Sequence, residues 1–577
     1  MNIKALLKRN EDLKRQRQYW FPLYEALARW VMQRKQNFTT DRTEGPFLLN
    51  QVFDSTAIHA AHMMASSILG QVWPNPFESF EFAPQVAQED AVFSDSYEFM
   101  NTVNEIMPIN LAVPEAGVMT AFWESILDAV VFGTGAIVVQ ETGDIRTPIV
   151  CKSVDAKCAS FAENEHGQID TVYMEKEFTV ASLVQRYGYD NVSDKVKKLY
   201  DAKDGTHLDD KVKVLHVIEP RRERNPLKLG TQDMPFASVH IELDEKHLLL
   251  ESGYKENPVI VFRFWKNVGE VFGRSPAMDA LADIRALNKL VEIFEKTGEM
   301  GLDPPKLVAT EDILGAGKIP WGPGAWIPTH RSSYSGTDRT KAVEPVLTVT
   351  NPSWAIQRIS DLRDNIQQYF MLDKLTDLSN RSRQTLGEAN IRNELRQFMT
   401  GPMLTRLIVE LVGPFLDRCF NILLELGAFG VIEGSRQDYE LQMMGIAPKY
   451  ISEDFIKHRM GGLKGYRINY ISPAARLMKL EERQGLEAVT QFMLMLAQAN
   501  PQVLHNYNFD ESLRQSQRLS GASQKILHSP AKVEQIRQAE ARAQEQQMQL
   551  AQDMGQAEAF SKAAKGVKDI GSTRLAL

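Results

Sequence analysis

GEVFGRSPAMDALADIRALNKLVEIFEKTGEM, residues 269–300, begins as a turn and becomes a helix. Ser275 can cap that helix, and Pro276 takes the first helical position, where its missing N–H costs nothing. Met278, Leu281, Ile284, Leu287, Leu290, Val291 and Phe294 recur at threes and fours. The spacing predicts a helix of roughly 24 residues, about 36 Å long, with one buried stripe. Asp283, Arg285, Lys289, Glu292, Glu295 and Lys296 fall in water, and Gly298, Gly301 and the pair Pro304-Pro305 are expected to end the helix. After a Gly- and Pro-rich excursion a second amphipathic run follows, from Trp354 through Ile356, Ile359, Leu362, Ile366 and Phe370. The stretch therefore reads as one of two long helices that bracket an irregular insert.

The rest of the chain sets bounds on what such a hairpin can serve. At 577 residues the length allows several domains or one elaborate one, with 43% hydrophobic and 24% charged residues, as in globular proteins. The start, MNIKALLKRNEDLKRQRQYW, is charged and lacks the apolar core of a signal peptide, and no run of about 18 apolar residues could span a bilayer. The expectation is a protein that stays where it is made. Cys151, Cys158 and Cys419 are odd in number and lack C-x-x-C spacing, which argues for reduced thiols and against zinc. A net charge of −8 excludes a protein that coats nucleic acid by neutralising phosphates over its whole surface. A wall that DNA slides past is compatible with it.

The chain opens with helix around Leu6, Leu13, Trp20, Leu27 and Val31, with Pro22 as a break or restart. In FDSTAIHAAHMMASSILGQVWP, Asp54, Ser55 or Thr56 can cap a helix whose small residues allow close packing. His59 and His62 are three apart, but with no third ligand they suit packing better than a metal. Helical patterns follow at Glu89–Pro114 and over GVMTAFWESILDAVVF. Beyond Gly133 and Gly135, strand-like pieces alternate with turns as far as NPVIVFRFW, interrupted by a helix over Val180–Tyr187. The insert, Gly301–Asn351, holds so many Gly and Pro that only short strands and turns fit. Its Trp321 and Trp326 either close a small satellite core or meet a neighbouring subunit or adaptor. Gly315-Ala316-Gly317-Lys318 imitates the end of a phosphate loop, but Asp312 and Ile319 stand where the pattern needs Gly and Ser or Thr.

Periodicity lapses between Leu375 and Thr385, where Lys374, Arg381 and Arg383 cluster, and helix resumes near Gly387 with Pro402 and Pro414 as expected kinks. GLKGYRINYISPAARLMKLEERQGLEAVTQFMLML supplies a strand at Tyr466–Ile471 and then a helix. Another helix runs from Phe509 or Asp510 through Leu519, and a Pro530-initiated run rich in Ala, Gln, Glu and Arg follows. No metalloprotease, serine-hydrolase or paired-cysteine motif occurs, and Asp279 and Asp283 share a helix face as exposed acids do by default.

Four of these stretches together resemble the head-to-tail connecting (portal) proteins of short-tailed (podovirus) bacteriophages. FGRSPAMDALADIRALNK looks like the start of that family's stem helix, and the D-S-T-A run at Asp54–Ala57 like its N-terminal signature. RQTLGEANIRNELR is similar to a tunnel loop opening into a kinked helix, with Gly387 as a departure at the small-residue position. Tyr470-Ile471-Ser472-Pro473-Ala474-Ala475 resembles the segment before the crown helices. The likeness extends from about Phe53 to about Leu496.

The resemblance implies an α+β, mostly helical subunit: a wing of helices and a β module (1–268), first stem helix (269–300), clip (301–351), second stem helix (352–373), tunnel loop (374–386), kinked helix and remaining wing (387–472) and crown helices (473–577). It implies a homo-oligomeric ring, typically of twelve, at one capsid vertex of the virion, assembled in the host cytoplasm. Double-stranded DNA would pass through without sequence recognition, during packaging and ejection. The implied partners are major capsid and scaffolding proteins, the terminase large subunit, a tail adaptor and internal core proteins. Neither a membrane nor any cofactor, metal or catalytic residue is implied. Lys374, Arg381 and Arg383 would touch passing DNA, Asp283, Lys289, Glu292 and Lys296 would line the stem channel, and Trp321 and Trp326 would meet the adaptor. A tail or collar ring that never meets the terminase, and a cytoplasmic enzyme whose site no motif marks, are the readings the same residues would otherwise allow.

Overall fold

The computed structural model describes residues 2–35, 38, 52–84, 93–144, 146–202, 206–225, 230–310, 322–330, 343–345, 353–372, 401–444, 448–460, 464–471, 480–520, 532–544 and 546. Helices and largely antiparallel sheets make up this part of the chain, which divides into two compact units. The first comprises residues 1–79, 107–426 and 472–478, and the second 80–106, 427–471 and 479–577.

The first unit begins with α1 (Ile3–Gln18) and α2 (Phe21–Trp30), which restarts with Pro22 in its first turn. The helix α3 (Thr56–Val72) lies on α6 (Val118–Phe132), and Ala57, Ala60, Ala61 and Ala65 are buried where small side chains permit close approach. VMTAFWESILDAVVF is apolar on nearly every side, so α6 is a central, buried helix. Its C-terminal Gly133 has φ of 85°, and a side chain there would collide with the carbonyl of Gly273. Conversely, a side chain on Gly273 would strike the Gly133 carbonyl. The two glycines thus let the strand that follows α6 and the turn that precedes residue 276 pass backbone to backbone.

Eight strands form two antiparallel sheets. One takes the order β3-β2-β9, from β2 (Thr134–Glu141), β3 (Ile149–Ser153) and β9 (Val259–Arg263). The other is β4 (Ala159–Glu163), β5 (Ile169–Thr179), β6 (Lys211–Pro220), β7 (Phe236–Glu242) and β8 (His247–Tyr254), in sequence order. The helix α7 (Val180–Tyr187) packs on this sheet with α8 (Asp194–Tyr200), a short helix the sequence pattern does not reveal. On the sheet's interior, His216 and His240 are direct cross-strand partners, with stacked rings 3.9 Å apart.

The long helix is α9 (Pro276–Leu302), 27 residues capped by the Ser275 hydroxyl, which accepts from the Met278 N–H and donates to the Val131 carbonyl. It runs through Gly298 and Gly301, where the sequence reading ended it. A glycine in an exposed turn weakens a helix by about 1 kcal/mol, too little to break one this long. A second helix, α10 (Ser353–Tyr369), packs along it through Ala355, Ile359, Leu362 and Ile366. Between the two stand β10 (Lys306–Thr310), β11 (Trp326–His330) and β12 (Val343–Pro345), with β10 central, parallel to β11 and antiparallel to β12.

Residues 401–407 are helical and lead through a π-turn at Ile408–Val412 into α11 (Gly413–Glu425). The wide turn lies just before Pro414, where the sequence predicted a kink. Proline has no N–H to close a regular turn, and the Gly413 N–H instead reaches back five residues to Ile408.

In the second unit β1 (Phe80–Pro84) pairs with β13 (Tyr466–Tyr470), from Phe80↔Tyr470 to Pro84↔Tyr466. The helix α5 spans Phe93–Ala112, and Asn104 on it bonds both the N–H and the carbonyl of Phe82, at 2.7 and 2.9 Å. Beyond α12 (Arg436–Met443) and α13 (Glu453–Met460), the C-terminal helices are α14 (Leu480–Ala499) and α15 (Phe509–Ser520), joined by a 3-10 turn at Pro501–Asn506. Residues 532–544 are again helical. Among the described residues no helix is long and apolar enough to cross a membrane.

Candidate functional site

The hairpin of α9 and α10 carries the residues that the sequence singled out, and one buried carboxylate ties it to the body of the first unit. Asp54, just before α3, accepts from the Thr56 N–H at 2.9 Å and takes both Nε and Nη2 of Arg363, on α10, at 3.0 and 2.8 Å. The amide of Asn288, buried in the apolar stripe of α9, supplies the acceptor for two neighbouring N–H groups, those of Phe53 and Asp54, at 3.0 and 3.1 Å. Its own Nδ2 donates to the Ile284 carbonyl within the helix, so the side chain joins one local bond to two long-range ones. Burial pushes the Asp54 carboxyl up, but the Thr56 and Arg363 hydrogen bonds outweigh it and hold the group below the ordinary carboxylate value. The sequence placed Asp54 at a helix start but did not connect it to α9 or α10. The available signal was an Asn standing among Leu287 and Val291, where a helix stripe is otherwise apolar.

On the outer side of α9 the structure brings Lys289, Glu292 and Lys296 together. Glu292 accepts from Lys289 at 3.0 Å and from Lys296 at 2.6 Å, and these bonds, Lys296 first, hold its carboxyl below the usual value. Arg285 lies on the same stripe at helical spacing and is exposed. Asp283 is not part of this row: it stands nine residues before Glu292, half a turn around the helix, and is half-buried. The stripe therefore presents three cations, Arg285, Lys289 and Lys296, with Glu292 among them and Glu299 at its far end. Such a row can meet phosphate oxygens weakly and without reading bases, because Glu292 competes for two of its lysines.

Trp326 opens β11 and is 61% exposed, so it closes no satellite core among the described residues. Trp321, the Gly315–Lys318 loop, and Lys374, Arg381 and Arg383 lie outside the described residues. His62 stacks on Trp123 at 5.7 Å, in keeping with the packing role read for it. Cys151 and Cys419 are buried free thiols and Cys158 is half-buried, with burial raising all three above the ordinary thiol value.

A further charged cluster fixes the π-turn to the sheets. Arg263, at the end of β9, is buried and reaches Glu410 with its backbone N–H at 2.9 Å and with Nη2 at 3.1 Å, while Nη1 meets Glu163. One guanidinium thus spans two carboxylates, the arrangement its forked donors favour.

Comparison with known proteins identifies the family. Residues 3–527 match the family described as bacteriophage head to tail connecting protein. The "Portal protein" of Salmonella phage epsilon15 is 26% identical, with 99% of this chain and 95% of that protein covered. The "Probable portal protein" of Bordetella phage BPP-1 is also 26% identical, over 73% of this chain and 74% of its own length.

Proposed function

Because the chain belongs to the family of bacteriophage head to tail connecting proteins, we propose that it is the portal of its virion, a ring of identical subunits at one capsid vertex. Double-stranded DNA passes through this ring in packaging and in ejection, the terminase docks on one side and a tail adaptor on the other. The observation that carries the reading is the α9–α10 hairpin, with a charged stripe along α9 and a β insert at its end. Such a hairpin gives a rigid wall and an appended docking piece. The row around Glu292 would face the channel, and Trp326 would meet the adaptor.

The mechanism this implies is geometric and electrostatic. A conduit must repel DNA too weakly to block it and attract it too weakly to hold it. Lysines already engaged by Glu292 satisfy both conditions, because contact with a phosphate means leaving a carboxylate of like charge. Native mass spectrometry with electron-microscope class averages of the purified protein should show a ring of about a dozen copies around a hole near the ~20 Å that a duplex needs. A protein that stays monomeric even with its capsid proteins present would refute the reading.

A further inference from the structure

The helix α14 is unusual for its solvent-facing side. Met493 is buried, and Thr490 is tied to Tyr507 at 2.6 Å, so that side of α14 packs inward. Flanking this buried side, and continuing round the helix from it, run Gly485, Ala488, Val489, Phe492, Met495 and Leu496, with no charge among them over three turns. Val489, Phe492, Met495 and Leu496 are 57, 58, 61 and 40% exposed. Gly485, Val489, Phe492 and Leu496 follow the four-three-four spacing of a helix-packing seam. On α15 a second, separate apolar pair, Phe509 and Leu513, stands four residues apart and is 47 and 57% exposed. The two patches lie on two different helices of one helical hairpin.

We infer that the α14 stripe of one copy packs against the α15 pair of the next copy, in a head-to-tail seam repeated around the assembly. The inference rests on the ring reading above and names the surface that joins its subunits. Two distinct patches are what a ring of identical chains needs, since each junction is heterologous and a surface cannot meet itself. Side chains of this size, half exposed, leave on the order of 500 Å² of apolar surface over the two patches together, the scale of the largest patch on a typical monomer, which is often a contact surface. That is about a third of a standard interface of ~1,600 Å², so the seam is one part of a wider contact. An isologous pairing of two α14 stripes would leave the α15 pair in water.

Two differently tagged versions of the full-length chain, co-expressed, test the seam. One carries Val489→Cys, Phe492→Cys or Leu496→Cys, and the other Phe509→Cys or Leu513→Cys, so that all six combinations are scanned and register does not matter. Mild oxidation of particles that hold both tags should give a disulfide-linked pair in at least one combination, and none when either variant is expressed alone. Rings with both tags and no linkage in any combination overturn the seam and leave the ring intact. Linkage in the α14 variants alone overturns it in favour of an isologous contact. A wild-type protein that forms no ring with its capsid proteins overturns both readings. Separately, Phe492→Glu should lower the assembled fraction at least tenfold while the melting profile of the free subunit stays unchanged, and full assembly of that variant would also overturn the seam.

Discussion

His216 and His240 show how one buried pair of side chains contributes to the response of the protein to acid. The Ser238 hydroxyl meets His216 at 3.0 Å and the Tyr187 hydroxyl meets His240 at 2.9 Å, which satisfies one nitrogen on each neutral ring. Burial, then the opposing ring and the nearby Lys176 and Arg186, keep His216 well below its ordinary value; burial, Arg186 and Lys176 bring His240 down to about 3. The unfolded chain takes up both protons as pH falls through 6.5, whereas the native pair resists. The pair's contribution to stability is therefore whole above pH 6.5 and is lost below it, by on the order of 1 kcal/mol per proton per pH unit. Denaturant midpoints at pH 7, 6 and 5 should fall steeply in the wild type and about half as steeply in His240→Phe. Equal slopes in both proteins would show that the pair does not govern the acid limb. Neither residue could be paired from the sequence, because cross-strand register depends on the turn between β6 and β7 and not on the histidines.

At the scale of elements, α9 was legible and its anchorage was not. Ser275, Pro276 and the apolar spacing define the start and the buried face of α9 from sequence alone, as the 3.6-residue period requires. The helix α7 and the strand β13 were equally readable. By contrast β1 was missed, since five residues beside a proline look like a turn until β13 pairs with them some 380 residues later. The Asn288 node was missed for the same reason: its partners are fixed by tertiary packing. Asn288→Ala leaves the Phe53 and Asp54 N–H groups without their acceptor, and should cost about 2–4 kcal/mol, read as a lower denaturant midpoint. Asn288→Asp keeps an acceptor and should recover part of the loss. If Asn288→Ala melts like the wild type, the node does not tie α9 to α3.

At the scale of the whole molecule, the predicted residues outside the described ones can be tested only in the assembled particle. Arg381→Ala with Arg383→Ala should impair DNA packaging or retention while rings still form, measured as DNA content per particle. Particles filled normally by that double variant would remove the tunnel loop from the mechanism. The composition of the chain restricted its function more than its fold did: a net charge of −8 is at odds with a DNA-coating protein but not with a conduit. The second unit adds a constraint of another kind. It is assembled from three stretches, 80–106, 427–471 and 479–577, with most of the first unit encoded between them. When two related phages recombine within that intervening stretch, a single crossover gives the progeny β1 from one parent and β13 from the other. Phe80 to Pro84 must then pair with Tyr466 to Tyr470 of foreign origin, whereas Asn104 and Phe82 arrive together from one parent. Genetic exchange at this locus is therefore filtered by the compatibility of two short strands that lie far apart in the gene.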